Sequence, residues 1–363
     1  MIQKTKIDEF IRPDLLSFGA YTAPVSAGSL TGNTEIPLTG VIKLDQNENV
    51  YGCSPKVITA LAKYKGYHIY PDSEQTTLRE QLSGYTGIAP ECIVAANGSN
   101  QLLDIITRLF VGEGDNVINF VPTFDIYRFS TQICGGNIVE IPRDDKFAID
   151  TGLFRRSIDA KTKLIFIANP NAPTGNLTPK KTILELLDTG IPIVVDEAYY
   201  EFSGVTALPL MKKYPNLMVV RTFSKWAGLA GLRVGYGLFN PVIADYLHRI
   251  RIPFNVNVAA LVAVNESLQD IDYLLNRTKQ IIAEKDRLFV ELKKFKWLKP
   301  YPSRANFILC QVLNGKASEI HEILQNKGIM VRYFAKPRLE NCIRISVGKP
   351  EHSDALIKVL REI

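Results

Sequence analysis

The chain has 363 residues, 46% of them hydrophobic, with a formal net charge of +6 and five cysteines. That much apolar sequence excludes a disordered chain and suffices for roughly two domains with buried cores. The basic residues form no dense block, which counts against a nucleic-acid surface, and a mild positive excess suits anionic metabolites.

Residues 1–40, with Pro13, Pro24 and Pro37, read as an N-terminal arm or lid that packs with the small domain. The opening MIQKTKIDEF lacks the apolar core of a signal peptide. From residue 41 a βα alternation begins. Ser54–Tyr64 reads as a helix with Ser54 as N-cap and Pro55 in its first turn, and Thr76–Tyr85 as another. Ile93–Ala96 is a short apolar strand, followed by a helix over Asn100–Phe110. Further strands are expected at Asn116–Phe120, Asn137–Ile141, Leu164–Ala168, Ile191–Val195, Met218–Arg221 and Val234–Leu238. Short apolar runs alternating with helices predict an α/β fold with a mostly parallel sheet covered on both faces. This large domain is assigned to 41–255. Residues 256–296 read as one or two long helices. Strands near Asn306–Cys310 and Cys342–Ser346, with helices at Ala317–Asn326 and His352–Arg361, complete a smaller α+β domain over 256–363. No apolar run reaches the roughly 18 residues of a membrane span. The cysteines at 53, 92, 134, 310 and 342 show no CxxC spacing and are odd in number, so they read as reduced thiols in a cytoplasmic protein.

The sequence contains no GxxxxGK[ST], HExxH, GxSxG or strand-borne GxGxxG pattern, which weighs against nucleotide hydrolysis, zinc proteolysis, serine hydrolysis and dinucleotide redox chemistry. Four segments at strand ends carry chemistry instead, where open α/β sheets gather ligands. Thr222-Phe223-Ser224-Lys225 is followed by a glycine-rich turn reaching Arg233. A desolvated lysine near a second cation can capture an aldehyde as a Schiff base, while Arg233 and the two hydroxyls suit a phosphate. A surface lysine after a strand is the plainer reading of Lys225 taken alone. Val194-Val195-Asp196 delivers a carboxylate that can face a protonated pyridine nitrogen, with Tyr199 one helical turn on; Asp196 is equally a helix N-cap. Asn97-Gly98-Ser99-Asn100 opens a helix whose backbone N–H groups can bind phosphate or be capped in the ordinary way. Asn169-Pro170-Asn171-Ala172-Pro173-Thr174-Gly175 is a turn rigid enough to hold a polar side chain against a ligand.

In this order the segments resemble the fold-type-I, class-II aminotransferases that use pyridoxal 5′-phosphate (PLP), and among them the branch acting on histidinol phosphate. The likeness runs from Tyr21 to Gly348. Its most specific pieces are Leu44–Asn49, Tyr70-Pro71-Asp72, Asp196–Tyr199, Thr222–Arg233 and Arg344–Gly348. The resemblance implies that Lys225 carries the cofactor and shuttles protons, Asp196 faces the ring nitrogen and Tyr199 the 3′-oxygen. It implies that Ser99, Asn100, Thr222, Ser224 and Arg233 hold the cofactor phosphate and that Phe124 stacks on the ring. Tyr70 would reach the phosphate of the neighbouring subunit, making a homodimer. Arg344 would take the α-carboxylate of glutamate or 2-oxoglutarate and Arg332 the distal phosphate of histidinol phosphate, with Tyr21 closing over the substrate and Asn47 lining the pocket. An aromatic aminotransferase, a threonine-phosphate decarboxylase or a non-catalytic PLP-binding regulator are the alternatives on the same scaffold. The chain departs from the family at Ala172, where an asparagine usually reaches the 3′-oxygen. Either Asn171 supplies that donor or Tyr199 acts with less help. Trp226 stands where a small residue is usual, and Asn100 where an acidic one is common.

Overall fold

The structure is a computed structural model and describes residues 10–16, 18–19 and 40–363. Its strands, in chain order, are β1 (Ile42–Leu44), β2 (Ile93–Ala96), β3 (Asn116–Val121), β4 (Asn137–Pro142), β5 (Thr162–Ala168), β6 (Ile193–Asp196), β7 (Leu217–Thr222), β8 (Gly235–Leu238), β9 (Leu298–Pro300), β10 (Phe307–Val312), β11 (Ile329–Tyr333) and β12 (Cys342–Ser346). Among the described residues, seven of these form a sheet in the order β2-β8-β7-β6-β5-β3-β4. Only β8 in it runs antiparallel to its neighbours, whereas β3 to β7 are parallel. Strands β2, β6, β7 and β8 are buried at every position. That explains their near-continuous apolar sequence, since helices cover both faces.

The helix Pro55–Lys63 begins as the sequence requires. Ser54 accepts a hydrogen bond from the Lys56 N–H, and Pro55 occupies the first turn. Two apolar layers flank the sheet. One gathers Ile118, Ile165, Val195, Val219, Phe223 and Trp226; the other gathers Val94, Leu103, Phe166, Val194, Met218 and Val220. Alternate residues of one strand thus fall on opposite faces. Trp226, the odd residue after the lysine, is fully buried and stacks on Tyr85 with ring centroids 5.8 Å apart.

The second sheet has the order β1-β11-β12-β10-β9, with its own core of Leu44, Ile308, Val331, Ile345 and Leu356. Three placements differ from the sequence reading. Residues 41–44 were assigned to the large domain, but β1 pairs in parallel with β11 in the small sheet. The expected start of the small domain at residue 256 fails as well. Ala260, Ala263, Val264, Leu274 and Ile281 pack into the large core, and only Leu288 and Leu292, late in the helix Ile271–Leu292, enter the small one. That 22-residue helix is therefore shared by both bodies. The arm was expected to pack with the small domain; in its described part Phe18 contacts Phe129 of the large body edge-on at 5.2 Å. The rest of it, Tyr21 included, lies outside the described residues.

No described helix is long and apolar enough to cross a membrane.

Candidate active site

The parallel strands β3, β5, β6 and β7 end side by side, and the small sheet closes over their C-terminal edge. Between the two bodies lies a cavity of about 420 Å³, lined by Ala168, Asp196 and Thr222 from the strand ends and by Arg332 and Arg344 from the small sheet. This is the edge at which such sheets gather ligands.

Lys225 follows β7 and is half-buried in the cavity wall, its Nζ donating to the Gln46 carbonyl at 3.0 Å. Its pKa is lowered to about 8, chiefly by burial and next by the nearby cation Arg344, with Glu48 opposing and Arg233 and Lys43 adding to the lowering. The amine is thereby poised near neutrality.

Asp196 closes β6. Its Oδ2 accepts from the Tyr127 hydroxyl at 2.8 Å and its Oδ1 from the Ala198 N–H at 3.1 Å. Burial pushes its pKa up to about 6, against the pull of those two donors and of Lys225. Tyr127 is itself fully buried, stacked on Phe166 at 4.6 Å and edge-on to Phe124 at 5.7 Å. Sequence reasoning did not single out Tyr127, though its position one helical turn beyond Phe124 was the available signal.

The opposite end of the cavity is an anion cradle. Gly98, at φ +82°, caps the helix Ser99–Phe110, and a Cβ there would collide with the Arg233 guanidinium. Glycine therefore lets the guanidinium lie against the N–H-rich helix start. Arg233 Nη1 donates to Ser224 Oγ at 3.3 Å, and the Ser224 and Thr222 hydroxyls meet at 3.1 Å. Ser99 and Asn100 line the same end. A helix terminus, a guanidinium and two hydroxyls converging here suit a phosphate.

Asn47 has φ +55°, a conformation fixed from the small sheet: its N–H donates to Ser346 Oγ at 2.9 Å, and its Oδ1 accepts from that hydroxyl at 2.8 Å. Its Nδ2 then donates to the Tyr199 hydroxyl at 2.8 Å. Asn47 is thus the amide beside Tyr199. Asn171, expected at the ligand, does not line the cavity. It is fully buried, and its amide is used by Thr123 Oγ1 at 2.7 Å, the Pro122 carbonyl at 3.0 Å and Thr174 Oγ1 at 2.6 Å. The turn needs Asn171 to hold its own backbone, so it has no donor left over. Ala172 does line the cavity.

Phe124, Tyr199, Arg332 and Arg344 all face the cavity. Tyr70 does not; it is 79% exposed on the outer surface and stacked on Phe254 at 4.8 Å. Among the described residues no His/Cys/Asp/Glu group could hold a metal ion.

The model of the class I and II aminotransferases matches residues 39–361. The chain belongs to that family. The histidinol-phosphate aminotransferase of Dehalococcoides mccartyi (strain CBDB1) is 52% identical over 98% of each chain. The chloroplastic histidinol-phosphate aminotransferase of Nicotiana tabacum is 41% identical over 99% of this chain and 88% of that one. Among solved structures, the histidinol-phosphate aminotransferase of Sinorhizobium meliloti in complex with pyridoxal-5′-phosphate superposes with a TM-score of 0.87 at 28% identity, covering 97% of this chain and 98% of that one. The seven-stranded sheet and the cavity at its edge are thus features of a family whose members include PLP enzymes.

Proposed function

We propose that this chain is a PLP-dependent enzyme that moves an amino group between glutamate and the histidinol phosphate skeleton, as a homodimer in the cytoplasm. The observation that carries the reading is the meeting of two anion sites with one reactive amine. Arg332 and Arg344 are directly paired across β11 and β12 and share the cavity with Lys225, Asp196 and the Arg233 cradle.

The residues present fit the cofactor. Its phosphate would be held by Ser99, Asn100, Thr222, Ser224 and Arg233, its ring nitrogen by Asp196 and its 3′-oxygen by Tyr199, with Phe124 against the ring. When bound, PLP supplies an aldehyde that captures amines and a ring that accepts electrons. The chain contributes the rest. Lys225 Nζ, with a pKa drawn toward neutrality, takes a proton from the substrate and returns it, acting as base and then acid. Tyr127 and the Ala198 N–H favour the ionised form of Asp196 and orient it, so that it would offer a fixed negative charge to the ring nitrogen. The carboxylate of glutamate and the distal phosphate of histidinol phosphate each require a planar cation, and two guanidiniums meet that need in one cavity. Arg344 would serve the carboxylate and Arg332 the phosphate.

Homodimerisation is supported by Tyr70, an exposed aromatic next to other exposed apolar residues, available to a second copy. The cytoplasmic assignment is supported by five cysteines that are all free thiols.

The test follows conversion of the bound cofactor to its amine form by absorbance with histidinol phosphate and with phenylalanine, and release of carbon dioxide with threonine phosphate. Histidinol phosphate is expected to react fastest. A faster reaction with either rival overturns the substrate reading. Arg332→Ala should raise KM for histidinol phosphate about a hundredfold, the loss of a charge-assisted pair, while sparing the half-reaction with glutamate.

A further inference from the structure

Strand β7 ends at Thr222, and Lys225 stands beyond it in irregular chain. The strand ladder therefore does not fix the direction of the lysine, and side chains do. Phe223 and Trp226, both wholly buried, bracket the two residues that line the cavity, Ser224 and Lys225. Phe223 leans on Tyr236 of β8 at 5.7 Å and on Trp226 at 5.6 Å. The indole lies nearly parallel to the Tyr85 ring, at an interplanar angle of 19°. Tyr85 belongs to the helix Thr76–Thr86 and donates to Glu201 Oε1 at 3.1 Å. On the main-chain side, the Trp226 carbonyl accepts from Asn49 Nδ2 at 2.8 Å, while the Gln46 carbonyl accepts from Lys225 Nζ at 3.0 Å. The segment 46–49 thus meets both the backbone after the lysine and its amine.

The indole is a poor choice for stability alone. Among the described residues its Nε1 has no hydrogen-bond partner, and a buried, unpaired N–H is destabilising. A phenylalanine would fill much of the space without that loss. What the indole adds is a broad flat face on Tyr85 immediately beside the lysine.

We propose that Trp226 is a positioning residue that fixes the backbone of Lys225, and through it the place of the amine in the cavity wall. The inference rests on the reading of Lys225 as the reactive amine. The lysine stem is long and flexible, so a small tilt at its Cα carries Nζ away from the Gln46 carbonyl and toward water. The charges that act on the amine are Arg344, Glu48, Arg233, Lys43 and Asp196. None is altered by a change at Trp226, so the titration of Lys225 reports where its amine sits. Burial disfavours the charged amine, and release into water restores it, so a displaced amine becomes neutral only at higher pH.

The experiment compares wild type, Trp226→Leu, Trp226→Phe and Phe154→Leu. Phe154 is buried in the same core and packs on Phe120 at 6.0 Å. The full chain without cofactor is exposed to propanal across a range of pH and reduced with borohydride, and capture at Lys225 is read by peptide mass spectrometry. Denaturant midpoints are measured alongside. Trp226→Leu is expected to move the midpoint of capture up by about one pH unit. In the holoenzyme it should lower kcat about tenfold with KM for glutamate changed less than about twofold. Trp226→Phe, which keeps a flat ring on Tyr85, should return both readouts close to wild type. Phe154→Leu should lower the denaturant midpoint and leave the capture profile in place. An unmoved profile in Trp226→Leu, an equal shift in Phe154→Leu, or no rescue by phenylalanine overturns the proposal. If Trp226→Leu fails to fold by circular dichroism, Tyr85→Leu and Tyr85→Phe take the places of the two Trp226 variants under the same criteria. Absence of capture at Lys225 in wild type would sink the reading of the reactive amine; capture in wild type that Trp226→Leu leaves unchanged sinks this inference alone.

Discussion

Burial in the cavity moves both Lys225 and Asp196 toward neutrality. An amine captures an aldehyde only when unprotonated, and its neutral fraction grows as pH rises through its pKa. With that value near 8, capture of a small aldehyde by the cofactor-free protein, trapped by borohydride and read by mass spectrometry, should climb between about pH 7 and 9. An ordinary lysine would climb near 10.4. Tyr127 supplies one of the two donors on Asp196. Tyr127→Phe removes it, so the Asp196 pKa should rise and the carboxylate should lose charge at a higher pH. The expected outcome is a kcat lowered about tenfold with KM little changed, and an acid limb of the pH–rate profile moved to higher pH. A purely structural role would leave that limb in place. At this scale the sequence singled out Lys225, Asp196, Tyr199 and Arg233 from strand ends and turn residues, and the structure brings all four to one cavity. Asn171 was misplaced because a sequence does not say whether an amide turns toward a ligand or toward its own turn.

At the scale of elements, β6 and β7 are joined beneath the cavity by a buried ion pair. Arg221 Nη2 lies 2.9 Å from Glu197 Oε2, with both side chains almost wholly excluded from solvent. The Arg221 guanidinium also lies 3.6 Å from the Tyr200 ring centroid and donates to Thr206 Oγ1 at 2.9 Å. Glu197 immediately follows Asp196, so this pair fixes the strand end that carries the Asp196 carboxylate. Arg221→Met should destabilise the fold by about 3 to 5 kcal/mol, because it leaves Glu197 buried and uncompensated. The measurement is the denaturant midpoint of unfolding. Where β5 to β8 were read correctly, continuous apolar runs between turn residues carried the signal. The strands left unread were β1 and β9, of three residues each, and β11. Three residues are too few to display alternation, and β1 pairs with β11 near the other end of the chain.

At the scale of the whole molecule, the apolar residues Tyr67, Ile69, Tyr70, Ile252 and Phe254 are all exposed, and Tyr70 stacks on Phe254. If a second copy covers this face and its Tyr70 completes the neighbouring site, two defective chains should complement each other. Mixing Lys225→Ala with Tyr70→Ala chains after unfolding and refolding together should recover about a quarter of wild-type activity, since half the dimers carry one intact site. No recovery, with dimers present by size-exclusion chromatography, would place Tyr70 outside the neighbouring site.

Sequence alone determined the α/β class and singled out Lys225, Asp196, Ser99 and Arg233, which the structure brings to one cavity. Each of these is set by local rules: strand ends, caps, and glycine where a backbone turns tightly. Only the tertiary structure decided that Asn47 meets Tyr199 while the Asn171 amide serves its own turn, that Tyr127 holds Asp196, and that Phe334 lies against both arginines. Those contacts join residues far apart in the chain or turned by packing, and side-chain direction at such points is fixed by the neighbours that folding brings together.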